Sequence, residues 1–148
     1  MTETKYGKYI VKKAKAMTPP PGVEIDPERM KRAAEIMTRV AYLDDEVVPG
    51  AFYVECCWFW KGSEGGHGTH THDWDEVLTF FGTDPENPHD LCGEVELWLD
   101  DEKHTITESC IVFIPKGFKH CPMIVRKVDR PIFHFSAGIT GMFTENPM

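Results

Sequence analysis

The stretch Gly65-Gly66-His67-Gly68-Thr69-His70-Thr71-His72-Asp73-Trp74-Asp75-Glu76 is the part of the chain from which its fold can be argued. Side chains alternate between the two faces of an extended strand, so His70 and His72 face the same side. Glu76 has the same parity, and a slight turn at Trp74 and Asp75 brings its carboxylate to the same point. This stretch predicts two converging imidazoles with a carboxylate beside them.

A second segment, Pro115-Lys116-Gly117-Phe118-Lys119-His120, turns this pattern into a candidate site. A His-x-His pair alone is weak evidence, because seven histidines in 148 residues can produce one by chance. The second segment follows an apolar run and places His120 at its turn. Three neutral nitrogens and one anionic oxygen suit a divalent transition metal. Together, the two segments predict a metal site of His70, His72, Glu76 and His120.

Composition limits the class of protein. A chain of 148 residues fits one domain with a single core. The net charge of −8 argues against a nucleic-acid partner, because that affinity comes largely from lysine and arginine. No run approaches the roughly 18 apolar residues that span a bilayer, and the first residues show no hydrophobic signal core. We therefore expect no membrane partner and a cytoplasmic location, with the five cysteines present mainly as reduced packing residues.

The first 50 residues predict a strand, a linker and a helix. Residues 6–11 are typical of a short strand, and the proline-rich segment 18–22 predicts a linker or clasp. Asp26-Pro27-Glu28 is a helix-start signal, and the apolar stripe that follows predicts a helix packed on the outside of a sheet. We expect this N-terminal part over residues 1–50, a β domain over 51–140 and a frayed tail over 141–148.

After residue 50 the sequence predicts strands almost throughout. Residues 94–99 and 103–106 predict one hairpin, and 122–128 with 132–139 predict another. The continuous apolar run 110–114 predicts a strand that is buried on both faces. Glu55 lies between aromatic residues on one face of a long strand, which makes it a pocket candidate, although an edge-strand charge is the commoner explanation.

The motifs resemble those of the cupin superfamily. The matching residues are His70-x-His72-x-x-x-Glu76 with Gly82 after five further residues, and Pro115-x-Gly117-x-x-His120. The resemblance covers about residues 52 to 139, and it implies an all-β fold with a jelly-roll barrel of roughly six to eight antiparallel strands. It also implies a metal inside the barrel, held by His70, His72, Glu76 and His120, and a homodimer. The second motif departs from the family pattern at its first and last positions, neither of which supplies a ligand.

The leading functional hypothesis is a metal-dependent enzyme that acts on a small oxygen-bearing organic substrate. Four protein ligands leave one or two open positions on an ion that accepts five or six, as in catalytic sites. By analogy with the resembled family we favour an oxidoreductase of the dioxygenase type. Iron, manganese, nickel, cobalt, copper and zinc all fit this ligand set. The alternatives are a metal-dependent isomerase or lyase in which Glu55 or His134 moves protons, and a non-catalytic cupin that binds or senses a small molecule.

Overall fold

A computed structural model describes residues 4–15 and 26–148, and within these ranges the chain is predominantly β. The α-helix α1 spans Pro27–Ile36. Ten strands follow: β1 Met37–Leu43, β2 Tyr53–Phe59, β3 His70–Thr71, β4 Glu76–Phe81, β5 Asp90–Leu99, β6 Glu102–Glu108, β7 Cys110–Ile114, β8 His120–Val128, β9 Ile132–Gly138 and β10 Asn146–Pro147. The predicted all-β class with one N-terminal helix is confirmed.

The strands form two five-stranded antiparallel sheets. The first sheet has the order β1-β2-β9-β4-β7, and the second has the order β10-β3-β8-β5-β6. The chain passes from one sheet to the other several times, as expected of a jelly roll. Within the described ranges, strand pairing stays inside each sheet, so the barrel is built as two facing layers.

The main hydrophobic core lies between the two layers. Phe80 of β4 and Ile132 of β9 enter it from the first sheet, while Leu91 and Leu97 of β5 enter it from the second. All four are fully buried. Burying a side chain of this kind stabilises the fold by roughly 1.5–3 kcal/mol. The core therefore holds the sheets face to face, and the candidate site lies beside it on β3, β4 and β8.

The predicted hairpin of β5 and β6 is confirmed, but the predicted hairpin of β8 and β9 is wrong. In the second sheet β8 pairs with β3 and β5, whereas in the first sheet β9 pairs with β2 and β4. The turn at residues 129–131 therefore carries the chain across the barrel. Two neighbouring apolar segments with a short turn fit either geometry, and partner strands from elsewhere in the chain decide between them.

Strand β7 is an edge strand, which corrects the prediction that it is buried on both faces. Among the strands that the structure describes, it pairs with β4 alone, at the end of the first sheet. Ile111 and Phe113 are 64% and 60% exposed, while Ile114 is 1% exposed. Both faces of β7 therefore carry apolar side chains, but only one face packs on the core and the other points outward. None of the residues that the structure describes covers this outward face at Ile111 and Phe113.

The N-terminal predictions have mixed outcomes. Gly7–Tyr9 form a short 3₁₀ helix, so the predicted strand over residues 6–11 is wrong; the local bonds from Tyr9 N to Tyr6 O and from Ile10 N to Gly7 O close turns instead. The predicted linker 18–22 lies outside the described residues. Asp26 caps α1 by accepting from Glu28 N at 3.0 Å, as predicted.

The apolar stripe of α1 does not pack on the sheet as expected. None of the helix residues is buried, and Met30 is 57% exposed. Instead, β1 begins directly after the helix, and Met37 is the stripe residue that reaches the core. The division of the chain at residues 50 and 140 stays a prediction.

The helices in the described ranges are short. None of them combines the length and the apolar character that a membrane-crossing helix requires.

Candidate metal centre

Three buried histidines meet at the junction of β3 and β8. His70 and His120 are directly opposite each other in the antiparallel register of the two strands, and His72 follows β3 by one residue. His70, His72 and His120 are 4%, 2% and 0% exposed, respectively. One nitrogen from each lies within 4.8 Å of the other two. The structure thus brings together the three histidines that the sequence predicted, and the group can hold a metal ion.

Backbone carbonyls fix the proton on each of these rings. Nδ1 of His70 lies 2.7 Å from Gly68 O, and Nδ1 of His120 lies 2.9 Å from Phe118 O. Nδ1 of His72 lies 2.6 Å from Thr144 O. A carbonyl oxygen can only accept, so each Nδ1 carries the hydrogen and each neutral ring keeps a lone pair at Nε2.

The three Nε2 lone pairs face one another. The Nε2 atoms of His70 and His72 are 3.1 Å apart, and with both Nδ1 atoms protonated neither neutral ring can donate to the other. Nε2 of His120 is buried, and no described residue forms a hydrogen bond with it. Unpaired buried polar atoms of this kind are costly. The geometry therefore calls for a cation between the rings, which is either a proton or a metal ion.

Glu76 lies beside two of the three histidines. Its Oε1 lies 3.4 Å from His72 Nε2 and 3.3 Å from His120 Nε2. Ligands about 2.0–2.2 Å from a metal are separated by about 3.0 Å at right angles and about 3.4 Å in a tetrahedron. The separations of Glu76 from His72 and from His120 are compatible with two edges of such a coordination shell. Nitrogen and carboxylate donors together fit a transition metal.

The electrostatics of the group are consistent with this interpretation. Burial raises the pKa of Glu76, but the contacts with His120 and His72 outweigh burial and hold the pKa below its ordinary value. Burial lowers the pKa of His70. Burial also lowers the pKa of His72, yet the bonds to Glu76 and to Thr144 O leave that pKa raised. The Glu76 carboxylate is therefore charged, and its negative charge would offset the positive charge of a bound cation.

Trp74 forms a wall of the site. Its ring stacks on His72 with the centroids 4.2 Å apart. Space for the indole comes from Gly138 of β9, where an added Cβ would lie 2.2 Å from the Trp74 ring. Any larger residue at position 138 would displace Trp74 and, through it, His72. The indole Nε1 donates to Thr144 Oγ1 at 3.2 Å, which ties this wall to the C-terminal tail.

The two proposed catalytic residues lie elsewhere in the barrel. Glu55 forms an ion pair with Arg39 at 2.8 Å and is partly exposed. His134 is buried between Phe59 and Phe80, and its Nδ1 donates to Thr79 O at 2.7 Å. Burial lowers the pKa of His134 to about 4. The structure does not bring either side chain into hydrogen-bonding contact with the histidine group, and their catalytic roles stay predictions.

Cys57 and Cys121 are buried thiols, in line with the expectation that the cysteines are mainly packing residues. Cys57 is 0% exposed, and Cys121 is 6% exposed within the main core. Burial raises the pKa of each thiol to about 12. Both are therefore protonated at neutral pH, a poor state for a metal ligand.

The C-terminal tail contributes to the site, which the prediction of a frayed end missed. Thr144 O accepts the His72 proton, and Phe143 contacts the His72 ring edge-on with centroids 5.3 Å apart. Glu145 hydrogen-bonds His67 and lies 3.7 Å from His70 Nε2. Strand β10 then pairs with β3. No local pattern marks these residues, because their partners lie about seventy positions away in the chain.

Comparison with known proteins supports the fold. No family model and no curated protein sequence matches the chain. A conserved protein with a double-stranded β-helix domain from Klebsiella pneumoniae superposes with a TM-score of 0.50 at 14% identity, over 84% of this chain and 98% of that one. An oxalate oxidase in complex with glycolate superposes with a TM-score of 0.51 at 13% identity, over 76% of this chain and 55% of the oxidase. A cupin-superfamily sugar phosphate isomerase from Silicibacter pomeroyi superposes with a TM-score of 0.49 at 19% identity, over 79% of this chain and 68% of the isomerase.

The fold is therefore the double-stranded β-helix of the cupins, as the two motifs implied. At these identities the likeness concerns the fold alone. Together, fold and geometry define a cupin-fold protein with a buried three-histidine group that can hold a metal ion.

Proposed function

We propose that the protein is a metal-dependent enzyme of the cupin type that acts on a small oxygen-bearing organic molecule. The observation that carries the proposal is the set of three Nε2 lone pairs that backbone carbonyls turn toward one point. A metal ion bound there would supply Lewis-acid or redox chemistry. His70, His72, Glu76 and His120 would hold it.

The chain's own residues provide the rest of such a site. Trp74 and Phe143 shield His72 with aromatic surface, which limits water at the histidines. Glu76 supplies the negative charge. His67, whose side chain is 51% exposed, marks the side that faces solvent. A small molecule would approach from that side.

Within this class we favour an oxidoreductase of the dioxygenase type over an isomerase or lyase. Proton-transfer chemistry needs an acid or base at the site, and neither candidate is well placed. Arg39 neutralises Glu55, and His134 already donates to a carbonyl between two aromatic rings. The fold also occurs in an oxalate oxidase in complex with glycolate, so it is compatible with small oxygenated acids.

Metal analysis tests the proposal first. Protein purified without chelator should contain about one transition-metal ion per chain, and His70→Ala and His72→Ala should abolish it. Lys103→Ala, an exposed change on β6, is the matched control and should retain full metal. Undiminished metal in both histidine variants would exclude the site.

Oxygen dependence tests the reaction class. Candidate small oxygenated acids are supplied to the metal-loaded protein in an oxygen electrode, and a dioxygenase consumes oxygen in step with substrate. Full turnover under strict anoxia would move the assignment to an isomerase or lyase. A ligand that binds and is recovered unchanged after long incubation would support a sensing protein instead.

A further inference from the structure

His67, His70 and Glu145 form a second group of side chains that could hold a metal ion, and this group shares His70 with the buried histidines. Nε2 of His67 hydrogen-bonds Oε2 of Glu145, and the same oxygen lies 3.7 Å from His70 Nε2. The His67 ring stands edge-on to His70 with centroids 4.7 Å apart. His67 and Glu145 therefore extend the site toward solvent.

Both residues are held in place by backbone contacts. Gly66 approaches β8 so closely that an added Cβ would lie 1.8 Å from Met123 O, and His67 forms an antiparallel bridge with Met123. Glu145 lies between Thr144, whose carbonyl binds His72, and β10, which pairs with β3. The carboxylate thus reaches His70 from a docked segment of chain.

One atom links the two groups. Nδ1 of His70 donates to Gly68 O, so Nε2 is its only free ligand atom. A single nitrogen lone pair binds one ion at a time. An ion bound to His70 Nε2 among the buried histidines therefore also lies beside Glu145.

From this juxtaposition we infer that Glu145 is a fifth protein ligand, delivered by the C-terminal tail to the ion of the proposed site. His67 holds the carboxylate whenever it is away from that ion. The inference rests on the proposed metal site of His70, His72, Glu76 and His120. It adds a second carboxylate, which the two sequence motifs do not contain.

A fifth ligand determines which small molecules the site accepts. With five protein ligands, an ion that takes six leaves one position open. A molecule that chelates through two oxygens, such as a small hydroxy acid, has to displace Glu145, and the released carboxylate returns to His67. A molecule with a single donor atom binds without displacing it. Access for chelating ligands is thus set by the docked tail.

Cobalt titration of the full-length, metal-stripped chain tests the inference. Co²⁺ is added to wild type and to Glu145→Gln, its visible absorption is recorded, and its affinity is measured by competition with a chelating dye. Wild type should bind one Co²⁺ per chain. Glu145→Gln should also bind one, with affinity lower by on the order of ten- to a hundredfold and with an altered visible spectrum. Glu94→Gln is the matched control, exposed on β5, and should behave as wild type.

The outcomes separate this inference from the proposed function. Wild-type affinity and spectrum in Glu145→Gln would overturn the Glu145 ligand and leave the histidine site intact. Two Co²⁺ ions per wild-type chain, falling to one in Glu145→Gln, would also overturn it, because the outer pair would then be a separate site. No Co²⁺ binding by wild type would remove the proposed metal site itself, and the fifth ligand with it.

A second variant, Glu145→Asp, distinguishes loss of the Glu145 ligand from loss of tail docking. Glu145→Asp keeps the charge but withdraws the carboxylate from His70, so it should also bind Co²⁺ more weakly than wild type. Tryptophan fluorescence reports docking, since Trp74 contacts Phe143 and Thr144. Wild-type Co²⁺ affinity in both Glu145 variants with native fluorescence would refute the inference.

Discussion

At the residue scale, Glu76 is the buried anion among the metal-site side chains, at 3% exposure. Replacing it with glutamine keeps its size and removes its charge and one strong oxygen donor. We expect Glu76→Gln to retain one metal ion per chain, with affinity lower by on the order of ten- to a hundredfold. Dye competition measures the change, and Glu86→Gln, in an exposed turn, is the control. Equal affinities in the two variants would show that Glu76 is not a ligand.

The lowered pKa of His134 predicts how the free energy of unfolding depends on pH. Its folded pKa of about 4 lies below the ordinary value of 6.5, so the unfolded chain binds its proton more readily. The contribution of neutral His134 to the free energy of unfolding is therefore fully present above about pH 6.5, and it is lost as the pH falls toward 4. Between pH 7 and pH 5, wild type should lose about 2 kcal/mol more unfolding free energy than His134→Gln, which keeps a donor for Thr79 O.

Urea unfolding of both proteins at the two pH values, with metal removed, measures this difference. Groups other than His134 titrate equally in wild type and variant, so they cancel in the comparison. The same pH dependence in both proteins would mean that His134 titrates normally, contrary to its burial between two aromatic rings.

The sequence could predict the positions of the three histidines but not the state of their rings. Alternation along a strand is a local property, and it correctly placed His70 and His72 on one side. The proton position on His72 depends on Thr144 O, which is 72 positions away. A contact of that kind arises only when the whole chain is folded. The contacts of Glu145 with His67 and His70 are also long-range, so the sequence did not predict them.

At the element scale, the C-terminal tail acts through Phe143. Its ring packs on Tyr53, His72 and Trp74, with centroids 5.3 Å from the first two and 5.8 Å from the third. The side chain is half-buried, so Phe143→Ala should lower the free energy of unfolding by about 1 to 2 kcal/mol. It should also weaken metal binding, because a loosened tail withdraws Thr144 O from His72.

Met142→Ala is the matched control for that change. Met142 is the neighbouring apolar residue, but it is 42% exposed and so contributes less to packing. Urea unfolding gives the stability of each variant, and dye competition gives its metal affinity. If the two variants were equally stable and bound metal equally well, the tail would have no part in holding the site.

Local elements were more predictable than their partners. The β5 and β6 hairpin followed from alternation and a tight turn at residues 100–101, all within one short segment. By contrast, β8 and β9 join different sheets, and β7 is an edge. Those outcomes depend on which distant strands compete for pairing. Strand identity is thus encoded locally here, while sheet membership is encoded by the whole chain.

At the scale of the whole molecule, the outer face of the first sheet is apolar. Its cross-strand register forms rows of uncharged side chains: Val54, Ala137, Val77 and Phe113; Cys56, Phe135, Thr79 and Ile111; and Trp58, Phe133 and Phe81. At its margins Phe52 is 56% exposed and Trp60 is 42% exposed. An apolar face of this extent is typical of a protein–protein interface.

This face predicts how the expected homodimer forms. Two copies that pack these faces together remove Ile111 and Phe113 from water, and a charge placed there opposes that burial. Sedimentation velocity should show a dimer for wild type at micromolar concentration and a monomer for Phe113→Glu. Thr105→Glu, exposed on β6 of the other sheet, should stay dimeric. Metal stoichiometry should be the same in all three, because the histidines lie inside the barrel. A monomeric wild type, or a dimeric Phe113→Glu, would contradict an interface at this face.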